Sequence, residues 1–152
     1  MSARTAIRMT DAEIAAFLAE PGTLNIATIG SDGAIHLVAM WFTMRDACPV
    51  FTTYGKSQKV ANLRRDDRLS ALVEGGEGYT SLRGVEFIGR AEIIDDPDEV
   101  LGLVREIGAR YGTRGAGQDE VRAAAKRVGI RLVPDRVISW DHSKIGAAQQ
   151  PA

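Results

Sequence analysis

The sequence predicts an α+β fold in which six mainly antiparallel strands form a closed sheet with helices at its periphery. Most of the six β-rich segments are separated by short turns, and short turns favour antiparallel pairing. The longest segment contains internal glycines, which are typical of the bends that close a barrel. Helical segments lie before, between and after groups of strands instead of alternating with single strands.

A capping box at Thr10 predicts the first helix. Glu13 follows the Thr10 hydroxyl by three residues, and apolar residues then recur on one helical face. Pro21 and Gly22 end this helix. The strands predicted next are 23–29, 34–43 and 49–54, with a Gly-Ser-Asp-Gly turn over 30–33.

The predicted strand 34–43 is apolar on both of its faces. Ile35, Leu37 and Trp41 alternate on one face, and Val38 and Met40 lie on the other. A strand of this kind is covered twice, as when a barrel wall also packs against a helix or a partner. As a large aromatic residue, Trp41 is predicted to lie in the core.

The second half of the chain contains fewer strands and more helix. Gly84 and Gly89 predict bends within a long strand, Pro97 predicts the first turn of a helix, and Pro134 predicts an edge or a bulge in the last strand. The predicted helices are 58–65, a helix that starts at 96–97, and 119–128, after a glycine-rich loop over 112–118. The predicted strands are 68–74, 81–94 and 129–140.

Length and composition suit a single domain. We expect residues 1–145 of the 152 to form it and 146–152 to be a disordered tail. A net charge of -1 gives no reason to expect nucleic-acid binding, and neither a membrane-spanning run nor a signal-peptide pattern is found. Cys48 is the single cysteine and the two histidines are distant, so no metal site is expected. These features indicate a cytoplasmic protein.

The segment 52–65 predicts an anion site. A strand ends with two threonines, Gly55 turns the chain, and a helix begins beside Lys56, Ser57 and Lys59. A helix N-terminus offers unpaired N–H groups and a partial positive charge, and lysine and hydroxyl side chains add to both. Val50 stands where a triphosphate-binding loop needs glycine, which excludes the nucleotide-hydrolase interpretation. The alternative is that these lysines form only a solvated face.

Six segments, in this order, carry a family resemblance: 36–42 (HLVAMWF), 52–53 (TT), 56–66 (KSQKVANLRRD), 69–74 (LSALVE), 83–93 (RGVEFIGRAEI) and 139–144 (SWDHSK). Over roughly 10–145 the chain resembles the pyridoxamine-phosphate-oxidase-like family. It is most similar to the branch that includes the actinobacterial deazaflavin (F420)-dependent reductases.

The resemblance implies a homodimer of split β-barrels of the FMN-binding type, with two cofactor sites at the subunit interface. Lys59 matches the family's phosphate lysine, Lys56 and Ser57 assist it, and Asn62 lies in the same cofactor-binding segment. The residues implied to line the ring system are Val38, Ala39, Met40, Trp41, Thr52 and Thr53. The residues expected from the partner chain are Tyr79, Trp140 and Lys144.

The function implied is that of an oxidoreductase that uses bound F420 or FMN for hydride transfer to a small organic acceptor. Vitamin B6 oxidation is not expected, because the chain lacks the arginine-rich C-terminal signature of true pyridoxine-phosphate oxidases. The alternative is a non-catalytic flavin- or heme-binding protein, with His36, His142 or a methionine as the axial ligand. Neither the acceptor nor a proton-donating side chain can be read from the sequence.

Overall fold

A computed structural model describes residues 3–113 and 118–147, and within them one antiparallel sheet of seven strands packs against several helices. The strands are β1 (Leu24–Ile29), β2 (Ile35–Met40), β3 (Thr43–Arg45), β4 (Cys48–Tyr54), β5 (Arg68–Gly75), β6 (Arg83–Ile94) and β7 (Arg127–Asp141). The helices are α1 (Ala3–Ala6), α2 (Asp11–Ala19), α3 (Gln58–Arg65), α4 (Pro97–Arg110), α5 (Gln118–Ala124) and α6 (Ser143–Ala147), with a 3₁₀ turn at Tyr79–Ser81.

The sheet has seven strands, one more than predicted, because the short strand β3 forms a hairpin with β4. β3 pairs with β4 through Arg45 and Cys48, and the two residues between them, Asp46 and Ala47, have φ values of 51° and 59°. Positive φ at both central residues is the signature of a tight hairpin turn that usually contains glycine or asparagine. Asp-Ala lacks that signal, so the hairpin is not predictable from the turn residues. The strand predicted over 34–43 ends instead at Met40.

The strand order shows that the sheet is strongly curled. The order is β2-β1-β5-β6-β7-β4-β3, so β2 and β3 form opposite edges. In a flat sheet these edges would lie about 29 Å apart. Only Trp41 and Phe42 join them, and a chain of that length spans at most about 11 Å. The two edges therefore meet where Phe42 enters the core, with none of its surface exposed.

The helices cover the sheet as their sequence patterns predict. The capping box of α2 is present: the Thr10 hydroxyl accepts a hydrogen bond from the Glu13 N–H, and the Glu13 carboxylate accepts one from the Thr10 N–H. Asp96 caps α4, whose first residue is Pro97. The helix predicted over 119–128 ends at Ala124, because the residues from Arg127 onward join β7. Residues 146 and 147 belong to α6, and the rest of the predicted tail lies outside the described residues.

Trp41 is not a core residue, contrary to the prediction. It is 49% exposed, and its ring stacks on that of Tyr111 with centroids 4.7 Å apart and planes 6° apart. Ile35 and Leu37, on β2, are 64% and 70% exposed, whereas Val38 packs against the core. Within one protomer, therefore, only one face of β2 is covered. No helix in the described parts of the chain is long and apolar enough to cross a membrane.

Candidate functional site

The candidate site is built where β4 passes into α3. Gly55 closes the turn by donating its N–H to the carbonyl of Lys126 at 2.9 Å, and the Ser57 N–H donates to the Tyr54 carbonyl at 3.0 Å. Ser57 is the N-cap of α3 with extended backbone angles, and its side chain makes no capping hydrogen bond. The first N–H groups of α3 therefore lack the side-chain acceptor that usually satisfies one of them.

The Ser57 hydroxyl is buried and has no hydrogen-bond partner among the described residues. A buried hydroxyl without a partner costs free energy, and such groups in native proteins call for an explanation. Here the hydroxyl lies at the positive end of a helix, where an anionic oxygen would accept hydrogen bonds from it and from the free N–H groups.

Lys59 supplies a positive charge at the same turn. Its Nζ donates to Thr53 Oγ1 at 3.1 Å, and the Thr53 side chain is almost fully buried in β4. Burial lowers the pKa of Lys59, and the charge of Arg127 lowers it further. Lys59 forms no ion pair with a carboxylate in the part of the chain that the structure describes. Its charge is thus partly desolvated and uncompensated, and a bound anion would supply the missing negative charge.

Arg127 connects this turn to a cavity of about 480 Å³. As the first residue of β7, it lies opposite Tyr54 in the sheet register, and its Nη1 donates to the Thr52 carbonyl at 3.4 Å. The cavity has the size of a small-ligand site. It is lined by Thr23, Ala39, Met40, Trp41, Thr52, Val104, Ile107, Gly108, Thr113, Ala123 and Arg127.

Four residues predicted to line a ring system, Ala39, Met40, Trp41 and Thr52, therefore share one cavity. Val38 is directed to the core, and Thr53 supports Lys59. Lys56 is exposed at the turn. Two further arginines lie at the end of α3: Arg64 pairs with Asp95 at 3.3 Å, and Arg65 donates to the carbonyl of Ile29. Those two side chains already have partners.

The residues expected from a partner chain lie far from the turn. Trp140 and Arg127 are near opposite ends of β7, about 40 Å apart along the strand. Lys144 donates to the Glu13 carboxylate at 2.6 Å and to the Arg8 carbonyl at 2.8 Å, which fixes α6 to the start of α2. Tyr79 is 70% exposed and contacts His142 edge-on. Only a second copy of the chain would bring these residues to the Lys59 turn.

Comparison with protein families decides the classification. The family model described as pyridoxamine 5'-phosphate oxidase matches residues 10–141, most of the chain. The chain belongs to the pyridoxamine 5'-phosphate oxidase family. No curated protein matches the chain.

Solved structures agree with this family assignment. A conserved hypothetical protein from Mycobacterium tuberculosis is 41% identical, with a TM-score of 0.88 over 100% of this chain and 97% of that one. A structure described as an F420 reductase is 25% identical, with a TM-score of 0.69 over 80% of this chain and 93% of that one. The heme storage protein HutZ from Vibrio cholerae is 16% identical, with a TM-score of 0.66 over 85% and 94% of the two chains, and this similarity concerns the fold alone.

Within this member of the pyridoxamine 5'-phosphate oxidase family, sequence reasoning missed Arg127 and the contribution of α4. Arg127 comes from a strand far along the chain, and only its pairing with Tyr54 places it beside Lys59. Val104 and Ile107 look like ordinary positions on the apolar stripe of a helix, yet both line the cavity. The one indication in the sequence is that Arg127 stands directly before Val128, at the start of an apolar segment.

Asn62 supports α3 from within the core instead of lining the cavity. It is fully buried, its Nδ2 donates to Thr28 Oγ1 at 3.0 Å, and its Oδ1 accepts from Gln58 Nε2 at 2.8 Å. Both polar ends of the side chain are occupied, so in this structure Asn62 holds α3 against β1.

Asn62→Ala is therefore expected to lower the free energy of unfolding by about 2 kcal/mol, because the buried Thr28 hydroxyl loses its donor. Urea denaturation measures the change. Gln58→Ala is the comparison: it removes the donor to Asn62 Oδ1, but the Gln58 side chain is exposed, so water can take its place and the cost is expected to be smaller, about 1 kcal/mol or less. Equal losses in the two variants would contradict the assigned role of Asn62.

Proposed function

We propose that this protein is an oxidoreductase that binds F420 or FMN and transfers hydride between that cofactor and a small organic acceptor. The observation that carries the proposal is the buried Ser57 hydroxyl without a partner, at the N-terminus of α3 and in the same turn as Lys59. A phosphate group would satisfy these residues together.

The residues present fit such a cofactor. Ser57, Lys59 and the N–H groups of α3 would hold the phosphate, and the exposed Lys56 would add charge. The adjoining cavity would hold the ring system, with Trp41 and Met40 as apolar walls. When bound, the cofactor supplies the hydride chemistry, and the protein orients it and excludes water.

The proposed assembly is a homodimer of split barrels. The outward face of β2 carries Ile35 and Leu37, which are mostly exposed in a single chain. Exposed apolar surface of this kind is typical of a protein interface. In such a dimer, Tyr79, Trp140 and Lys144 of one copy would complete the site of the other.

We favour F420 over FMN. The structure with 25% identity is named an F420 reductase, and the site of this chain offers more positive charge than one phosphate requires. Lys56, Lys59 and Arg127 remain without carboxylate partners among the described residues, whereas Arg64 would have to leave Asp95 to contact an anionic tail. F420 has such a tail and FMN does not.

A non-catalytic heme-binding protein is the second candidate. The Nδ1 atom of His36 is buried and has no hydrogen-bond partner among the described residues, so its ring is available for another role. Absorption spectra of the purified protein distinguish the candidates, because a Soret band indicates heme, and bound flavin or deazaflavin absorbs at its own wavelengths.

The test is a fluorescence titration of the cofactor-free protein with F420 and, separately, with FMN. Wild-type protein is expected to bind F420 more tightly, and Arg127→Ala to weaken binding about tenfold by removing one charge beside the phosphate. Arg122→Ala, on the exposed side of α5, is the charge-matched control and should leave the affinity unchanged. Tighter binding of FMN would show that FMN, and not F420, is the preferred cofactor. Binding of neither cofactor would overturn the proposal.

A further inference from the structure

Trp41 is a large apolar side chain that is half exposed and yet held in one place. It is 49% exposed and lines the same cavity as Arg127. One face of its indole stacks on the ring of Tyr111, with centroids 4.7 Å apart and planes 6° apart. Tyr111 lies behind Trp41 and is not part of the cavity wall. An indole that is covered on one face and open on the other is suited to stacking against a second planar ring.

Tyr111 is itself fixed by two hydrogen bonds through its hydroxyl group. The oxygen accepts from the Phe42 N–H at 3.3 Å, and the hydroxyl donates to the Gly22 carbonyl at 2.5 Å. Phe42 is fully buried, and Gly22 lies two residues before β1. The hydroxyl thus ties the end of α4 to two parts of the sheet. The Tyr111 ring cannot swing away from Trp41 without breaking both hydrogen bonds.

The turn after α4 keeps Tyr111 in this position. Gly112 has a φ of 72°, which glycine adopts at little cost and which reverses the chain. The Thr113 N–H then donates to the Gly108 carbonyl at 2.8 Å, and Gly108 and Thr113 both line the cavity with Trp41. The end of α4 therefore supplies both the support behind Trp41 and part of the wall beside it.

A fixed indole binds a planar ring more tightly than a mobile one. A free tryptophan side chain loses rotational freedom when it stacks on a ligand, and that loss weakens binding. Tyr111 restrains the Trp41 indole before any ligand binds. The turn with Ser57 and Lys59 belongs to a different element, the start of α3. The two features would therefore bind different parts of one molecule.

We propose that Trp41 is the stacking platform for the fused planar ring of the cofactor, and that Tyr111 is the positioning residue that holds this platform. The inference rests on the proposed function and extends it to the ring alone: the site binds a flavin or deazaflavin ring that lacks the phosphate. Tyr111 touches neither the cofactor nor the acceptor and acts through Trp41. Lys59 contributes only to the phosphate.

The order of Trp41 is measured first, without any cofactor. Trp140→Phe leaves Trp41 as the single tryptophan of the chain. In this background, Tyr111→Leu is expected to lower the anisotropy of the indole emission and to increase its quenching by acrylamide. Tyr111→Phe keeps the stacked ring and should change both quantities much less. Equal values in all three proteins would overturn the role of Tyr111, whether or not a cofactor binds.

Binding is then compared for ligands with and without the phosphate. FMN is paired with riboflavin, and F420 is paired with its phosphate-free deazaflavin core. Tyr111→Leu is expected to weaken both members of the pair that binds, each by a factor of about five. Lys59→Met should weaken only the member that carries the phosphate. If Lys59→Met had no effect while Tyr111→Leu did, the phosphate site of the proposed function would fail and the platform would stand.

A double-mutant cycle separates positioning from a general structural effect. Trp41→Leu removes the platform and leaves the Tyr111 hydrogen bonds in place, so it also serves if Tyr111→Leu does not fold. It should weaken ring binding at least as much as Tyr111→Leu, and combining the two should weaken it no further, because Tyr111 acts through Trp41. Additive losses, or equal binding of the phosphate-free ring by wild type and Trp41→Leu, would overturn the proposal. Binding of none of these compounds would overturn it together with the proposed function.

Discussion

Lys59→Met is expected to weaken cofactor binding by about tenfold to a hundredfold. The substitution keeps the apolar stem of the side chain and removes its charge. Lys59 is the cation whose pKa is lowered by burial and by the neighbouring charge of Arg127, so it is the group with the most to gain from an anion. A charge-assisted hydrogen bond to a phosphate oxygen in a partly desolvated turn accounts for a loss of this size.

The pH dependence of binding follows from the same shift. Only the protonated lysine attracts an anion, so affinity should fall as pH rises through the Lys59 pKa, which lies below its usual range. The fall should therefore begin at a lower pH than an ordinary lysine would give. In Lys59→Met this part of the pH profile should disappear. Titrations of both proteins at about pH 8 to 10 measure the difference.

The free energy of unfolding should change with pH in the opposite direction from that of a protein whose lysine is paired with a carboxylate. Because the folded pKa is lower than the unfolded one, the folded state binds fewer protons between the two values. The free energy of unfolding of the cofactor-free wild type should thus rise as pH increases through that window. Lys59→Met should lack this rise.

The stability of the cofactor-free protein is the control for the binding experiment. Lys59→Met removes the hydrogen bond to Thr53 but also relieves a buried charge, so the two effects should offset to within about 1 kcal/mol. A binding loss with unchanged stability assigns Lys59 to the anion. Unchanged affinity would show instead that the turn is only structural.

The candidate site was predictable where it is local in sequence. The turn at Gly55 and the helix over 58–65 were predicted at the observed bounds, because a strand end, a glycine and a helix start leave a short-range pattern. Arg127 was not predictable, because its position depends on the pairing of β4 with a strand far along the chain. The burial of Ser57 was not predictable either, since it depends on which groups pack over the turn.

The fold, like the site, was predictable where it depends on local sequence patterns. The α+β class, the antiparallel pairing and the bulge at Pro134 were predicted correctly. The hairpin through Asp46 was missed because its backbone conformation is imposed by the strands that it joins, without a turn residue that favours it. The exposure of Trp41 was also missed. Hydrophobic patterning shows that a residue is apolar, but it does not show whether its own chain or another molecule covers it.

Gly89→Ala is expected to cause the largest loss of stability, about 3 kcal/mol or more. Gly89 lies opposite Pro134 at the register shift between β6 and β7, where Asp135 is the extra residue of the bulge. A Cβ at this position would lie 2.0 Å from the Val133 carbonyl oxygen and 2.8 Å from the Pro134 Cα. Both are backbone atoms, so relief requires the two longest strands to separate at the bulge.

Gly102→Ala provides the matched control, since the same atom is added in open space on the exposed side of α4. Alanine has the higher helix propensity, so this variant should gain up to about 1 kcal/mol. The stability of Gly84→Ala should lie between those of the other two variants. The added methyl group contacts the Trp140 side chain, which can move, whereas at Gly89 it contacts backbone atoms, which cannot. Urea denaturation of the three variants measures this order. The urea concentration at the midpoint of unfolding should change, while the dependence of the unfolding free energy on urea concentration should stay the same. If Gly89→Ala were as stable as Gly84→Ala, the backbone at the bulge would be able to adapt, and the role assigned to Gly89, a position that backbone atoms close to any side chain, would be contradicted.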